Sequence, residues 1–449
     1  MRRLQPLHPT TLFALLTLLL VLLSWMAEAY GLQTLHPTTQ EPVVVQSVLN
    51  AEGMRWLLRH AVSNLYDYSS PGQVLLGLLT LGVAYHSGLV DALTGSSCWC
   101  RLGQRGMVAL VIALGAASHL LGDVGYLLLL PLAASLFGRV GLSPVAGVLT
   151  ALVAIGCTAI HYALFLSLSG LLLLPLLYLL CLRWLLPSEA MLHPEATTAS
   201  VTLTRRERRA LTTALTAGAL YVALLLWGIY ALGDLFLGVD GSLTSSPLME
   251  GMVAVVCLGV TWMAAVYGFV SGRYHSDGQL MEGLSSYLPL LRDYFLLLVG
   301  CAQLTALFTY SNLGPYLAIE GAEWLSSIQL PTPLLLLLFI LFTALVNLLI
   351  VPTELKWQLL SPCFLPLFSA QHIAPEATLS AFTIGEVSTD LLSPFLLYLP
   401  LVLTLLRRYQ PQATYATLLS RCWRICATLL TAWIALYALW SALGCPFAL

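Results

Sequence analysis

The sequence predicts an all-α membrane protein that crosses the bilayer many times. Of its 449 residues, 59% are hydrophobic and only 9% are charged, whereas a soluble domain carries about 25% charged residues. The mean hydropathy is +0.87, and apolar runs long enough to span a bilayer as a helix recur along the chain. Polar breaks inside several of these runs predict the broken helices with which secondary transporters build their binding sites.

The first repeat is predicted to occupy residues 1–186. Its first apolar run follows Arg2 and Arg3 and resembles a signal peptide, but it continues through Trp25 and many spans come after it. We therefore expect an uncleaved span. Two longer runs are interrupted, at 118–123 and at 156–161, and are candidates for a re-entrant hairpin and a broken helix. The predicted apolar segments are roughly 11–31, 72–93, 107–137 and 144–186.

A basic linker at 187–209, which ends in an arginine cluster, is predicted to lie in the cytoplasm and to separate this repeat from a second one at 210–449. Residues 32–71 and 311–332 are expected to be loops, the latter acidic. The second repeat's predicted apolar segments are 210–233, 249–271, 287–310, 333–350, 357–370, 378–406 and 423–443. Arginines concentrate at 101–105, 205–209 and 407–424, so the positive-inside rule places the N-terminus inside.

The breaks recur in both halves. Residues 118–123 are followed about one hairpin and one helix later by Gly156, and the break at 352–357 is followed in the same way by Glu386. Two inverted repeats, each with a re-entrant hairpin and a broken helix, would leave this trace.

Glu386 and Asp390 stand near the centre of an apolar stretch. Their spacing puts both on one face of a helix, and Gly385, the Ser388-Thr389 pair and Pro394 would let that helix unwind there. Charged residues at membrane depth are costly and mark ion or substrate pathways. The two carboxylates, with the hydroxyls of Ser388 and Thr389, are predicted to bind Na⁺ or to carry a proton; the alternative is a structural pairing with Lys356.

Polar residues near the first-half breaks are also candidates for ion coupling. Asp123, beside Gly122 and Gly125, is either an ion ligand at a hairpin tip or a helix cap. His119 and His161 are either proton carriers or hydrogen-bonded core residues. Gly156, at the first-half break, is grouped with these candidates.

Several classes of function are disfavoured. The ten cysteines show no pairs at zinc-finger spacing, and no basic patch interleaved with aromatics indicates nucleic-acid binding. A hydrolase is disfavoured because the chain has neither a histidine-rich metal box nor a Gly-x-Ser-x-Gly elbow. We expect a protein that is not an enzyme and has no cofactor and no metal site.

A collinear set of motifs, spread over nearly the whole chain, resembles the p-aminobenzoyl-glutamate transporter (AbgT) family. The chain looks like a divergent and shortened member. The motifs are Pro6–Thr11, Tyr85–Leu89, Gly122–Tyr126, Pro131–Ala134, Gly241–Leu243, Ser246-Pro247, Val266–Gly268, Ser311–Gly314, Gly321–Glu323, Lys356-Trp357 with Leu360, Pro362 and Pro366, Ile384-Gly385, Ser388-Thr389, Pro394 and Tyr398–Leu403.

The resemblance implies a homodimer in the bacterial inner (cytoplasmic) membrane, with about nine transmembrane helices and two re-entrant hairpins in each subunit. It implies uptake of p-aminobenzoyl-glutamate, or efflux of p-aminobenzoate with sulfonamide resistance, coupled to Na⁺ or H⁺. By position, the family's substrate-site asparagine, tryptophan and proline are kept as Asn347, Trp357 and Pro375.

Other family positions differ here. This chain has Thr383 at the position of the family's arginine and Glu386 at the position of its core aspartate. It has Asp390 where the family has an asparagine four residues after that aspartate. The hairpin asparagine corresponds to His119. Near the first broken helix, an asparagine and an aspartate fall near His161 and Leu168, and about thirty residues that usually follow are missing.

Together these observations predict a secondary transporter for a small anionic aromatic substrate, working in contact with membrane lipid. Asn347, Trp357, Pro375 and Thr383 form the predicted substrate site. The alternative for Trp357 is a place in an interfacial aromatic belt, and for Asn347 a polar contact between helices. A substrate-binding sensor or an uncoupled channel on the same fold is the alternative.

Overall fold

The computed structural model describes residues 9–36, 40–68, 71–95, 102–118, 124–158, 164–187, 203–231, 236–237, 246–327, 331–350 and 353–447. Helices dominate these segments, and the all-α polytopic prediction is confirmed. Six helices in the described part are long and apolar enough to cross a membrane alone. They are Thr10–Ala29, Leu164–Leu185, Arg205–Ala231, Met252–Ser271, Asp277–Tyr310 and Tyr415–Ala442. Other apolar segments are divided into shorter helices.

The segment after the first helix, α1 (Pro9–Ala29), is more ordered than the loop predicted there. A two-stranded antiparallel hairpin, β1 (Gln33–Leu35) and β2 (Pro42–Val44), places Gln33 opposite Val44. It forms because Val45 and Val48 are buried against the core and anchor the returning chain. Two short helices follow, α2 (Ala51–His60) and α3 (Ser63–Asp67).

The second predicted span is a helix with a turn near its end, α4 (Pro71–His86) and α5 (Leu89–Thr94). The first hairpin has its limbs in α6 (Gly103–Ser118) and in a π-helical turn (Gly125–Leu129) that leads into α7 (Leu130–Arg139). The first limb ends at Ser118 and the described chain resumes at Val124. Residues 119–123, where the sequence predicts the break, lie outside the described residues.

Both hairpin limbs pack on the next helix, α8 (Pro144–Gly156), through glycines. A Cβ on Gly115 of α6 would lie 2.4 Å from Ala154 Cβ, and one on Gly147 of α8 would lie 2.5 Å from the Ala133 carbonyl oxygen. Small residues let helix backbones approach closely in a membrane. α8 ends at Gly156, where the first broken helix was predicted to be interrupted, and residues 159–163 lie outside the described residues. The described chain resumes in α9 (Leu164–Leu180) and a π-helical turn (Cys181–Leu185).

The arginine cluster at 205–209 forms the start of a helix, α10 (Arg205–Ala231), and not the end of the predicted linker. Thr204 and Glu207 cap the N-terminus of this helix. The Glu207 carboxylate accepts hydrogen bonds from the Thr204 backbone N–H and hydroxyl, both at 2.9 Å. The helices that follow are α11 (Pro247–Glu250), α12 (Met252–Ser271), α13 (Asp277–Ser285) and α14 (Pro289–Tyr310).

Residues 311–332, predicted to be an acidic loop, contain a helix, α15 (Leu313–Ser327). Ala318 and Ile319 are 2% and 0% exposed, so this helix buries an apolar stripe that outweighs its two glutamates. A Cβ on Gly321 would lie 2.5 Å from Phe342 Cε2, which brings α15 close to the second hairpin.

The second hairpin consists of α16 (Thr332–Asn347) and α17 (Thr353–Ser369). The second broken helix comprises α18 (Pro375–Thr389), a 3₁₀ turn (Asp390–Leu392) and α19 (Leu399–Tyr409), and α20 (Tyr415–Ala442) follows. Each half thus repeats one arrangement, in which a hairpin packs on the first part of a broken helix.

Candidate functional site

A buried ion pair joins the second hairpin to the second broken helix. Lys356 Nζ of α17 donates to Glu386 Oε1 of α18 at 2.7 Å, and their side chains are 2% and 14% exposed. Lys356 is the only lysine in the sequence. A buried pair is stable only when further hydrogen bonds compensate for lost hydration, and the neighbouring residues supply them.

Asn347 supplies most of these hydrogen bonds. Its Oδ1 accepts from Lys356 Nζ, and its Nδ2 lies 2.9 Å from the Glu386 carbonyl oxygen and 3.2 Å from Thr389 Oγ1. The Thr353 hydroxyl also donates to Glu386 Oε1. Both limbs of the hairpin therefore converge on Glu386, since Asn347 ends α16 while Thr353 begins α17.

Gly385 makes this convergence possible. A Cβ at this position would lie 2.1 Å from Thr343 Oγ1 and 2.7 Å from the Ile340 carbonyl oxygen. Any larger residue would hold α18 away from α16 and break the contacts of Asn347. Gly385 therefore serves close packing.

The second broken helix unwinds further along the chain than the sequence predicted. Gly385 lies inside α18, which continues to Thr389. Ser388 donates to the Ile384 carbonyl oxygen at 2.7 Å, and Thr389 to that of Gly385 at 2.9 Å, so both hydroxyls are satisfied within the helix. The non-helical segment follows the turn at Asp390–Leu392 and ends where α19 begins at Leu399. Pro394, inside this segment, prevents the helix from continuing.

Asp390 opens the turn that follows α18. The charges of Lys356 and Glu386 both act on its carboxylate. Among the described residues, that carboxylate has no hydrogen bond or ion-pair partner. Lys356 is therefore paired with Glu386 alone, and Asp390 adds a second carboxylate near the one ammonium. When both carboxylates are ionised, the cluster carries one more negative than positive group.

Oxygen atoms dominate this cluster, as hard cations require. In the described segments, no group of three or more His, Cys, Asp and Glu side chains forms a metal centre. The carboxylates of Glu386 and Asp390 fit either a proton or an alkali cation.

An aromatic pair lies next to the ion pair. The rings of Trp357, which is half-buried on α17, and Phe382 on α18 meet edge to face, with centroids 5.1 Å apart and planes at 64°. Lys356 Nζ lies 6.0 Å from the Phe382 centroid. A single cation and two aromatic rings thus occupy one region.

The structure brings together some of the predicted residues and separates others. Asn347, Trp357, Glu386, Thr389 and Asp390 meet around Lys356. Buried Ser388 and Thr383 instead bond their own helix, Thr383 donating to the Leu379 carbonyl oxygen at 3.0 Å. Pro375 is exposed at the first position of α18, eleven residues before Glu386, which is roughly 16 Å along a helix.

The first-half candidates are only partly described. Gly156 ends α8 and lies against Leu391 in the turn after α18. Asp123, His119 and His161 lie outside the described residues.

Thr353 and Phe382 were not predicted from the sequence as site residues. Lys356 was predicted only as a structural pairing partner of the Glu386 and Asp390 carboxylates. The presence of a single lysine, inside an apolar segment, was an available indication of its importance. Nothing in the pattern around Thr353 or Phe382 distinguishes them, because their role depends on how α17 and α18 pack.

A separate cavity of about 540 Å³ lies between α16, the start of α18 and α20. Its walls are mostly apolar and include Leu336, Ile340, Ala377, Tyr437 and Phe447. It contains none of the predicted substrate or ion residues.

The chain is similar to known transport proteins over nearly its whole length. It is 24% identical to the p-aminobenzoyl-glutamate transport protein of Escherichia coli (strain K12), covering 98% of this chain and 93% of that protein. The crystal structure of the Alcanivorax borkumensis YdaH transporter is 31% identical with a TM-score of 0.55, covering 99% of this chain and all of that one.

A second solved structure, of Neisseria gonorrhoeae MtrF, is described as illuminating a class of antimetabolite efflux pumps. It shares the fold with a TM-score of 0.54 and 24% identity, covering 98% of this chain and 96% of that one. The model of the AbgT transporter family matches residues 5–178 and 163–449. This chain is therefore a membrane transport protein that belongs to the AbgT family.

Proposed function

We propose that this protein is a secondary active transporter that moves a small aromatic carboxylate, of the p-aminobenzoate or p-aminobenzoyl-glutamate type, across the inner membrane. The observation that carries the proposal is the buried cluster of one ammonium and two carboxylates, at the end of a broken helix and beside an aromatic pair. The similarity to a p-aminobenzoyl-glutamate transport protein supports this substrate class.

A Na⁺ or H⁺ gradient would drive transport through this cluster. A cation bound by Glu386 and Asp390 would offset the negative charge of the cluster or of an incoming substrate carboxylate, and a less charged core is less costly to move through the apolar interior. Thr353 and Thr389 would supply neutral oxygens. Asp123, His119 and His161 are candidates in the first half of the chain for the same coupling.

The proposed setting is a homodimer in the bacterial inner membrane, with the N-terminus inside. The arginines at the start of α10 support this orientation, because basic residues flanking a span favour the cytoplasmic side.

The test is flux of labelled p-aminobenzoate and p-aminobenzoyl-glutamate in proteoliposomes, with Na⁺ and pH gradients imposed separately. One gradient should drive accumulation, and Glu386→Gln and Asp390→Asn should each abolish its effect. Glu376→Gln is the matched control, because Glu376 is an exposed carboxylate on the same helix.

Accumulation that survives Glu386→Gln with its gradient dependence intact would contradict the coupling role. Flux without saturation or counterflow would indicate an uncoupled channel. Binding without flux would indicate a sensor.

A further inference from the structure

We infer that Lys356 is the residue that recognises the carboxylate of the substrate, and that it exchanges Glu386 for the substrate when a cation neutralises the site. This inference rests on the proposed function and specifies how substrate and cation binding are linked.

Charge identifies Lys356 as the anchor. The position where the resemblance places an arginine is Thr383, whose hydroxyl is bonded within its own helix. In the described segments, Lys356 is the one cationic side chain hydrogen-bonded to the cluster. An ammonium in a dry site is a strong partner for a carboxylate, because charge-assisted hydrogen bonds are roughly twice as strong as neutral ones.

Position also favours Lys356. It directly precedes Trp357, and its Nζ lies 6.0 Å from the Phe382 centroid. A benzoate-type molecule carries its carboxylate a short distance from its ring. The ammonium and the aromatic pair are therefore spaced to bind the two ends of one such molecule.

Burial explains why the exchange needs a cation. The Lys356 side chain is 2% exposed, while that of Glu386 is 14% exposed and Thr353, which bonds Glu386, is exposed. Glu386 thus lies between Lys356 and the open side of the cluster. A substrate carboxylate reaches Nζ only after the Glu386 carboxylate has released it.

Charge balance gives the same order of events. The empty site holds one positive and two negative groups, and adding a substrate carboxylate alone would put three negative groups beside one ammonium. Entry of one cation with one carboxylate leaves the net charge unchanged, so each ligand favours binding of the other. The other ionisable groups around Glu386 in the described structure are Lys356 on α17, Asp390 and, next to Asp390, Cys426 on α20.

The test compares p-aminobenzoate with its neutral analogue 4-aminobenzamide, by calorimetric binding to the purified protein with and without Na⁺, and at low and high pH in the absence of Na⁺. In the unmodified protein, the cation should raise p-aminobenzoate affinity by at least about tenfold. Lys356→Gln should weaken p-aminobenzoate binding by about tenfold or more while changing 4-aminobenzamide binding little. Glu386→Gln should bind p-aminobenzoate equally well with or without the cation.

Lys356→Gln leaves Glu386 buried without its partner and can fail to fold, so the double variant Lys356→Gln/Glu386→Gln is measured beside it. This double variant, in which both side chains are neutral, should still bind 4-aminobenzamide but should no longer bind p-aminobenzoate more tightly. Glu376→Gln again serves as the control.

If Lys356→Gln and the double variant each weakened the binding of p-aminobenzoate and of 4-aminobenzamide equally, the inference would be overturned. That result would show that Lys356 has a structural role. Persistent cation dependence in Glu386→Gln would overturn the partner exchange. If the unmodified protein bound neither p-aminobenzoate nor p-aminobenzoyl-glutamate, the proposed substrate class would itself fail and the inference with it, a result distinct from both.

Discussion

Gly156 and Leu391 bring the two broken helices into contact. Gly156 ends α8 in the first half, Leu391 lies in the turn after α18, and a Cβ on Gly156 would lie 2.4 Å from Leu391 Cδ2. Leu391 is fully buried. The two interruptions, far apart in the sequence, therefore meet in the interior.

Gly156→Val should destabilise the protein and reduce transport. The added methyls have no room against buried Leu391, and overpacking of this kind costs typically 1–3 kcal/mol. Thermal unfolding in detergent and flux in proteoliposomes measure the two effects. Gly138→Ala is the control, since a Cβ there meets nothing within 4 Å. Leu391→Ala should cost less stability in the Gly156→Ala background than in the parent, because it also relieves the overpacking there. Equal costs in the two backgrounds, or a Gly156→Val variant as stable as the parent, would refute the contact.

Gly385→Ala should impair coupling as well as stability. The new Cβ would force α18 from α16 and so weaken the hydrogen bonds of Asn347 to Glu386 and Thr389. We compare it with Gly147→Ala, which meets the Ala133 carbonyl oxygen at a similar distance but lies outside the site. Both variants should lose about 1–3 kcal/mol of stability. Only Gly385→Ala should change the cation dependence of flux, and the same change in both variants would count against the assignment.

The Lys356–Glu386 pair should show strong energetic coupling in a double-mutant cycle. Lys356→Met alone leaves a buried carboxylate unpaired and should cost about 3–5 kcal/mol. Lys356→Met/Glu386→Gln should recover much of this loss. The measurement is the free energy of unfolding in detergent for the parent, both single variants and the double variant. Additive losses would mean that the pair observed at 2.7 Å contributes no specific interaction.

Trp357→Ala should lower the affinity for aromatic carboxylates while sparing an aliphatic one. The aromatic contact contributes about 0.5–1.5 kcal/mol beyond the buried area, which corresponds to about a 2- to 13-fold weakening. Calorimetric titration with p-aminobenzoate and with an aliphatic carboxylate of similar size measures the difference. Trp324→Ala is the control, because that ring is 67% exposed on α15. Equal effects on the two ligands would exclude ring recognition by Trp357.

The sequence predicted the fold class and the end of α8 at Gly156 well, because both depend on local composition. The predicted interruption that begins at Gly156 coincides with the end of α8, whereas residues 119–123 lie outside the part of the chain that the structure describes. The helix at Leu313–Ser327 was missed, since its apolar stripe is short and its two glutamates resemble a loop. The unwinding near Glu386 was placed too early, because a glycine inside a helix can serve either flexibility or close packing.

The amino-acid sequence by itself determined that this chain crosses a membrane, where its helices are interrupted, and that carboxylates lie within an apolar segment. These properties follow from hydropathy and from the cost of placing charge in lipid, which act along the chain. Only the tertiary structure decided that Lys356 is the partner of Glu386, that Asn347 joins both hairpin limbs to α18, and that Gly156 meets Leu391. Those contacts depend on how closely the helix backbones approach, which neither periodicity nor composition records.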